Sequence, residues 1–152
     1  MNFLHEYTEA YLLTLRYIND VVSEPAVDFD ISFEQYLILT KIQENPKLTM
    51  SDFVERRRLS RAAISLMLTD LEKKTLMIRK ACRADKRRKY LKITAEGARI
   101  QQIIEARVNE RFTDWMNEFG EEKALLILDL IREFEQKFVS KTRERILEND
   151  AD

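Results

Sequence analysis

One cysteine, Cys82, in 152 residues rules out a disulfide within the chain and any zinc site built from several thiolates. The lone histidine, His5, makes a poor metal ligand by itself. Only Gly97, Gly120, Pro25 and Pro46 punctuate the sequence, so long uninterrupted helices are the economical reading over most of it. There is no glycine-rich phosphate loop, no histidine beside a nucleophile and no cluster of metal ligands, so neither catalysis nor a metal or cofactor is expected. Acidic pairs abound, but where 35% of residues are charged they read as solvated helix faces. No apolar run reaches transmembrane length, and Met1 to Val22 interleaves His5, Glu6, Glu9 and Arg16 among its apolar residues. Neither a signal peptide nor a membrane span is expected, and the location expected is the cytoplasm.

What is present is a concentration of positive charge. The formal net charge is only −1, yet residues 55–92 hold fourteen Lys/Arg against four Asp/Glu, a local net of +10 that leaves −11 for the remainder. Such a block on a small module is the electrostatic footprint of polyphosphate binding, because neutralising phosphates releases condensed counterions. The acidic remainder should face away from the polyanion.

Punctuation and periodicity map the elements. Leu4, Tyr7, Tyr11, Leu15, Ile18 and Val22 recur every three or four residues, giving an N-terminal helix that Glu24-Pro25 should end. Ser32 can cap a helix burying Phe33, Tyr36, Leu37, Leu39 and Ile42, stopped by Asn45-Pro46. Thr49, with Asp52 three residues on, can cap a short helix over Ser51–Arg58. Leu59-Ser60 turns the chain into a second helix over Arg61–Lys74. Leu76–Cys82 and Lys89–Ile93 read as two strands joined by Arg83-Ala84-Asp85-Lys86-Arg87-Arg88, a loop too cationic for any core. Two short helices, a tight turn and a basic hairpin, in that order, are a winged helix-turn-helix. The expected fold is mainly α, with a two- or three-stranded wing.

In the second helix of the motif, Ile64, Leu68 and Leu71 share one face and should pack against Phe53 and the helix at 33–44. The opposite face offers Ser60, Arg61, Ala62, Ser65, Leu66 and Thr69. Arg61 can fork onto guanine, Ser65 and Thr69 can hydrogen-bond to bases or phosphates, and Ala62 or Leu66 can touch thymine methyls. The plain alternative is an ordinary surface helix. For the basic loop with Arg83, Arg87 and Arg88, the alternative is a solvated hairpin whose charges discourage edge pairing.

The stretch Asp85-Lys86-Arg87-Arg88-Lys89-Tyr90-Leu91-Lys92-Ile93-Thr94-Ala95-Glu96-Gly97 resembles the wing signature of the MarR family of bacterial transcription regulators. Leu71-Glu72-Lys73-Lys74 is similar to the end of that family's recognition helix. The resemblance spans nearly the whole chain. It implies that Arg61 to Thr69 occupy the major groove of double-stranded DNA and that Arg87 enters the minor groove. It also implies that Asp85 orients Arg87 by a charge-assisted hydrogen bond. A narrow minor groove concentrates negative potential, and an arginine on a hairpin tip suits it. Thr75 departs from the pattern, standing where the family usually has glycine, so the recognition helix is expected to end differently. Arg57 and Arg58 also depart, and read either as an extra phosphate contact or as cations at a helix end.

The N-terminal stripe, Ile100, Ile104, Val108, Phe112, Trp115 and Phe119, and then Ile127, Leu130, Ile131, Phe134 and Phe138 exceed what a small winged core can cover. They fit either an intrachain bundle or, as the resemblance implies, a homodimer interface. Residues 1–30 and 95–152 would then be the helical dimerisation region and 31–94 the DNA-binding lobe. Half-sites of a pseudo-palindromic operator would lie about one duplex turn, ~10 bp, apart. The resemblance further implies a small aromatic or phenolic effector between the two regions, and Tyr7, Tyr11, Phe33 and Tyr36 are candidates to line its pocket. The alternative is that these aromatics are core. Cys82 reads as a structural thiol, or as an oxidisable one with its pKa lowered by Lys80 and Arg83. Function reads as a sequence-specific DNA-binding regulator, a repressor by family analogy and released by an effector. The competing reading is a winged-helix protein-interaction module.

Overall fold

The computed structural model describes residues 2–57 and 59–139, with the side chains at 56, 57 and 139 outside that description. In chain order the elements are α1 (Phe3–Val27), α2 (Phe33–Glu44), α3 (Met50–Arg57), α4 (Arg61–Lys73), β1 (Met77–Ala81), β2 (Lys89–Ile93), α5 (Ala95–Phe119) and α6 (Glu121–Phe134). A π-helical turn, Glu135–Val139, follows α6. This is the mainly helical winged helix-turn-helix that the sequence leads one to expect. The wing is a two-stranded antiparallel sheet running from Met77↔Ile93 to Ala81↔Lys89. A single bridge, Thr49↔Tyr90, stands in for a third strand, with the Leu91 N–H donating to the Leu48 carbonyl at 2.9 Å.

The helices begin where their caps dictate. Ser32 and Gln35 form a reciprocal box at the start of α2: Ser32 Oγ accepts from the Gln35 N–H at 3.1 Å, and Gln35 Oε1 accepts from the Ser32 N–H at 2.9 Å. Before α3, Asp52 Oδ2 accepts from both the N–H and the hydroxyl of Thr49, at 2.7 and 2.9 Å. Ser60 Oγ caps α4 by accepting from the Ala63 N–H at 3.1 Å.

The chain divides into two compact units, residues 1–109 and 110–152. In the first, Ile64, Leu68 and Leu71 of α4 are fully buried with Ile38, Leu39 and Ile42 of α2, Phe53 of α3, Met77, Leu91 and Ile104. Burying each such side chain contributes roughly 1.5–3 kcal/mol, so the i, i+4, i+7 spacing on α4 suffices to fix which of its faces looks outward. In the second unit Gly120 separates α5 from α6 with φ +94°, a left-handed conformation that suits glycine. Trp115 stacks on Phe119 at 5.4 Å, and Lys123 lies over the Phe119 ring.

Helix α1 does not stop at Glu24-Pro25, contrary to expectation; it continues to Val27 with Pro25 inside it. The proline lies in the last turn, where it removes one backbone donor close to the helix end. Both Pro25 and Ala26 are buried, and α5 clasps the turn. Arg107 donates to the Pro25 carbonyl at 3.2 Å and to Asp28 Oδ2 at 2.9 Å, and its guanidinium lies 5.3 Å from the centre of the Phe29 ring. Packing and these bonds outweigh the lost donor.

The end of α4 is likewise different from expectation, because Thr75 does what a glycine would do. It takes φ +60°, its N–H donates to the Glu72 carbonyl at 3.0 Å, and the Leu76 N–H donates to Leu71 at 2.9 Å. That is the paired bonding of a Schellman cap, made by a β-branched residue in the left-handed region. Immediately beyond, the Thr94 N–H donates to the Leu76 carbonyl at 3.1 Å and the Thr94 hydroxyl to the Thr75 carbonyl at 2.7 Å. The same hydroxyl accepts from the Gly97 N–H at 3.0 Å, capping α5. A Cβ at position 97 would lie 2.0 Å from the Leu76 carbonyl oxygen.

Two substitutions probe this junction. Thr75→Gly should raise the unfolding free energy by about 1 kcal/mol, the left-handed penalty less the glycine's extra freedom when unfolded. Gly97→Ala should lower it by roughly 3 kcal/mol, since backbone must move. Urea denaturation measures both, and a neutral Gly97→Ala would contradict the close approach.

Candidate nucleic-acid interface

The exposed face of α4 carries Arg61, Ala62 and Leu66, the last 73% exposed, with Ser65 and Thr69 half-buried beside them. An exposed leucine among polar neighbours costs solvation unless something covers it. Ser60 is occupied as the N-cap, its Oγ already accepting a backbone bond. Arg61 Nη2 donates to Ser51 Oγ on α3 at 3.2 Å, which ties the two helices at their outward edge and leaves most of the guanidinium donors free.

On the wing, residues 83–89 are all exposed. The tip is a turn closed by the Arg88 N–H donating to the Asp85 carbonyl at 3.0 Å, and the Cys82 N–H donates to the Arg88 carbonyl at 2.9 Å. Asp85 Oδ1 accepts from the Arg87 backbone N–H at 3.0 Å. The acid thus shapes the loop through the main chain of Arg87, where the family resemblance implies a bond to its side chain. Arg83, Arg87 and Arg88 stand in solvent around this turn. Arg58 and the side chains of Arg56 and Arg57 lie outside the described residues, so the readings made for Arg57 and Arg58 fall there too.

Cys82 is half-buried, its Sγ 3.5 Å from the Tyr90 hydroxyl across the hairpin. That hydroxyl, then the backbone at Asp85 and Ala84, holds the thiol below its ordinary value of 9.0, and Tyr90 is correspondingly raised. Tyr36 is buried, which raises its phenol above 10.0. The four candidate pocket aromatics form two ring pairs, Tyr7 on Tyr11 along α1 at 6.2 Å and Phe33 against Tyr36 on α2 at 5.4 Å.

Four polar side chains with no such expected role, Gln35, Asp70, Lys74 and Arg79, hold α4 in place. Gln35, already half of the α2 cap, also donates through Nε2 to Asp70 Oδ2 at 2.7 Å. Lys74 Nζ donates to the same Asp70 oxygen at 2.8 Å and to the Asp30 carbonyl, with Asp30 Oδ2 at 3.4 Å. Arg79 of β1 donates from Nη2 to Thr69 Oγ1 at 3.3 Å and approaches Glu72 Oε2 to 3.6 Å. Arg79 had a legible signal: it shares the inward phase of β1 with the buried Met77, and an inward arginine needs a partner. Gln35 and Asp70 had none, being 35 residues apart.

Residues 31–89 match the model of the MarR family. Among curated proteins the chain is similar to the HTH-type transcriptional regulator FarR of Neisseria gonorrhoeae, 35% identical over 104 residues, 68% of this chain and 71% of that protein. Among solved structures it is similar to a Staphylococcus aureus MepR–DNA complex, with a TM-score of 0.77 at 19% identity over 87% of this chain and 98% of that one. A Staphylococcus aureus MarR solved with salicylate and kanamycin gives a TM-score of 0.75 at 17% identity, covering 90% and 92%.

The Asp70 contacts make a pH prediction. Lys74, then Gln35, holds the Asp70 carboxyl below its ordinary 3.8. Its contribution is therefore complete above pH 3.8 and lost as pH falls through the lowered native value. With the Asp70 side chain 44% exposed, screening keeps that contribution to about 1 kcal/mol or less. Asp70→Asn should cost about that much at pH 7, and the gap to the native protein should close below pH 3.8. Denaturant titrations at both ends of this range check it.

Proposed function

The chain belongs to the MarR family of DNA-binding transcription regulators, and from that premise we propose that it represses transcription as a cytoplasmic homodimer on a pseudo-palindromic operator. A small aromatic or phenolic molecule releases it. The α4 residues Arg61, Ala62, Ser65, Leu66 and Thr69 occupy the major groove, Ser60 sets the helix start, and the wing residues Arg83, Arg87 and Arg88 grip the backbone and minor groove. Asp85 holds the wing tip in shape.

The observation that carries this reading is the pairing of an outward α4 face with a fully exposed cationic hairpin in one lobe. The hairpin loop carries five cations among residues 83–89, more than a short turn requires. Residues 31–94 act as the DNA-binding lobe, and residues 1–30 and 95–152 as the dimerisation region. In support, α1 leaves Phe3, Tyr7, Tyr11, Leu15 and Ile18 exposed, and α6 leaves Leu126, Leu130, Ile131 and Phe134 exposed. Apolar surface on that scale on long helices marks an interface. A two-fold dimer presents two recognition helices at about one duplex turn, ~10 bp, and a protein seated over a promoter excludes polymerase. For the effector, support comes from the aromatic pairs on α1 and α2 and from the salicylate bound by the Staphylococcus aureus relative.

Selection from random duplexes supplies the operator, and binding is then measured against salt. Affinity should fall about 10³-fold or more between ~50 and ~200 mM salt. Arg87→Ala should weaken operator binding at least about tenfold and flatten the salt dependence, as loss of a cationic contact on each protomer requires. Retention of the operator unaltered by Arg87→Ala would remove the wing from the interface. A salt-insensitive partner would point to protein docking.

A further inference from the structure

Two threonines on other helices, Thr8 of α1 and Thr40 of α2, turn their hydroxyls back on their own backbone. Thr8 donates to the Leu4 carbonyl at 2.7 Å and Thr40 to the Tyr36 carbonyl at 3.0 Å, the usual i−4 bond. Thr69 of α4 does not. Its Oγ1 accepts from Arg79 Nη2 at 3.3 Å, and among the described residues its own hydrogen has no acceptor. A guanidinium can only donate, so this bond consumes a lone pair of Thr69 and leaves the hydroxyl hydrogen directed away from β1. Thr69 continues the outward stripe of Ala62 and Leu66, at i+7 and i+3.

We propose that Arg79 is a positioning residue that holds Thr69 as a dedicated hydrogen-bond donor to a DNA phosphate. This rests on α4 being the recognition helix. The phosphate is favoured over a base edge by place: Thr69 lies eight residues, ~12 Å, beyond Arg61 along the helix, and the N-terminal residues of a recognition helix are the ones that meet base edges. Arg79 serves the site a second way. Its Nε is buried without a hydrogen bond and lies 3.6 Å from Glu72 Oε2, so its charge offsets a carboxylate on the same helix that would repel a phosphate. The Arg79 side chain is only 27% exposed, which suits a group acting through its neighbours better than one touching DNA.

The test uses the full chain and the selected operator, with Thr69→Val, Arg79→Met, the double variant and Arg79→Lys. Thr69→Val should weaken binding on the order of tenfold, and equally on operator variants with altered bases, because a phosphate carries no sequence. Arg79→Met should weaken it comparably without changing the salt slope, and the double variant should bind no worse than Thr69→Val. Arg79→Lys, which keeps a cationic donor, should recover most of the loss. Additive effects, or a salt slope reduced by about one per protomer in Arg79→Met, would make Arg79 a direct contact and overturn the proposal; sequence-dependent losses in Thr69→Val would overturn the phosphate assignment. Should Arg79→Met not fold, Thr69→Val against altered operators and Arg79→Lys still decide. If the native protein retains no duplex of any sequence, the DNA reading falls and takes this one with it; normal binding by Thr69→Val overturns this one alone.

Discussion

The outward face of α4 and the basic wing are registered by one backbone contact, the seating of the α5 N-terminus on the Leu76 carbonyl. That oxygen accepts from the Thr94 N–H and occupies the space a side chain at Gly97 would need. Thr94 completes the joint, donating to the end of α4 and accepting from the start of α5. The recognition helix, the wing and the long helix therefore meet within four residues, Thr75, Leu76, Thr94 and Gly97. A shift of any one of them breaks bonds in the other two, and a rigid lobe of this kind presents its charged groups in a fixed relation.

Electrostatics works at two ranges here. Over the whole lobe, the +10 of residues 55–92 draws a polyanion regardless of sequence. Within the lobe, individual charges are spent on geometry: Lys74 and Asp70 fix the α4 C-terminus, and Arg79 serves Thr69. The cations of residues 83–89 stand in solvent instead. The division explains how a basic lobe folds without strong self-repulsion, because several of its charges are neutralised locally.

How much of this was legible depended on whether the controlling interaction is local. Ser32 and Thr49 announced their helices, since capping is read within four residues, and a loop too cationic for any core marked the wing. Pro25 misled because the contact that tolerates it, Arg107, lies 82 residues away. Thr75 misled in the other direction: a helix end unlike the one glycine makes was expected, but long-range anchoring by Thr94 holds a threonine in the left-handed region there. The outward side chains of α4 could be named from its period. Gln35, Asp70 and Arg79, which steady that helix, depend on pairs that only the folded chain brings together. Asp85 was legible as a shaping acid but not in its choice of the backbone over a guanidinium.

The bond from Lys74 to Asp30 has a wider meaning. It fastens the C-cap residue of the recognition helix to the loop three residues past the end of α1, with Asp30 itself held at φ +54°. Any event that displaces the end of α1 then does work on the reading head, though it lies in no groove. Such coupling is reciprocal by thermodynamic necessity. On the proposed reading, in which a partner engages α1, occupancy of the duplex alters that affinity by the same factor and in the same sense.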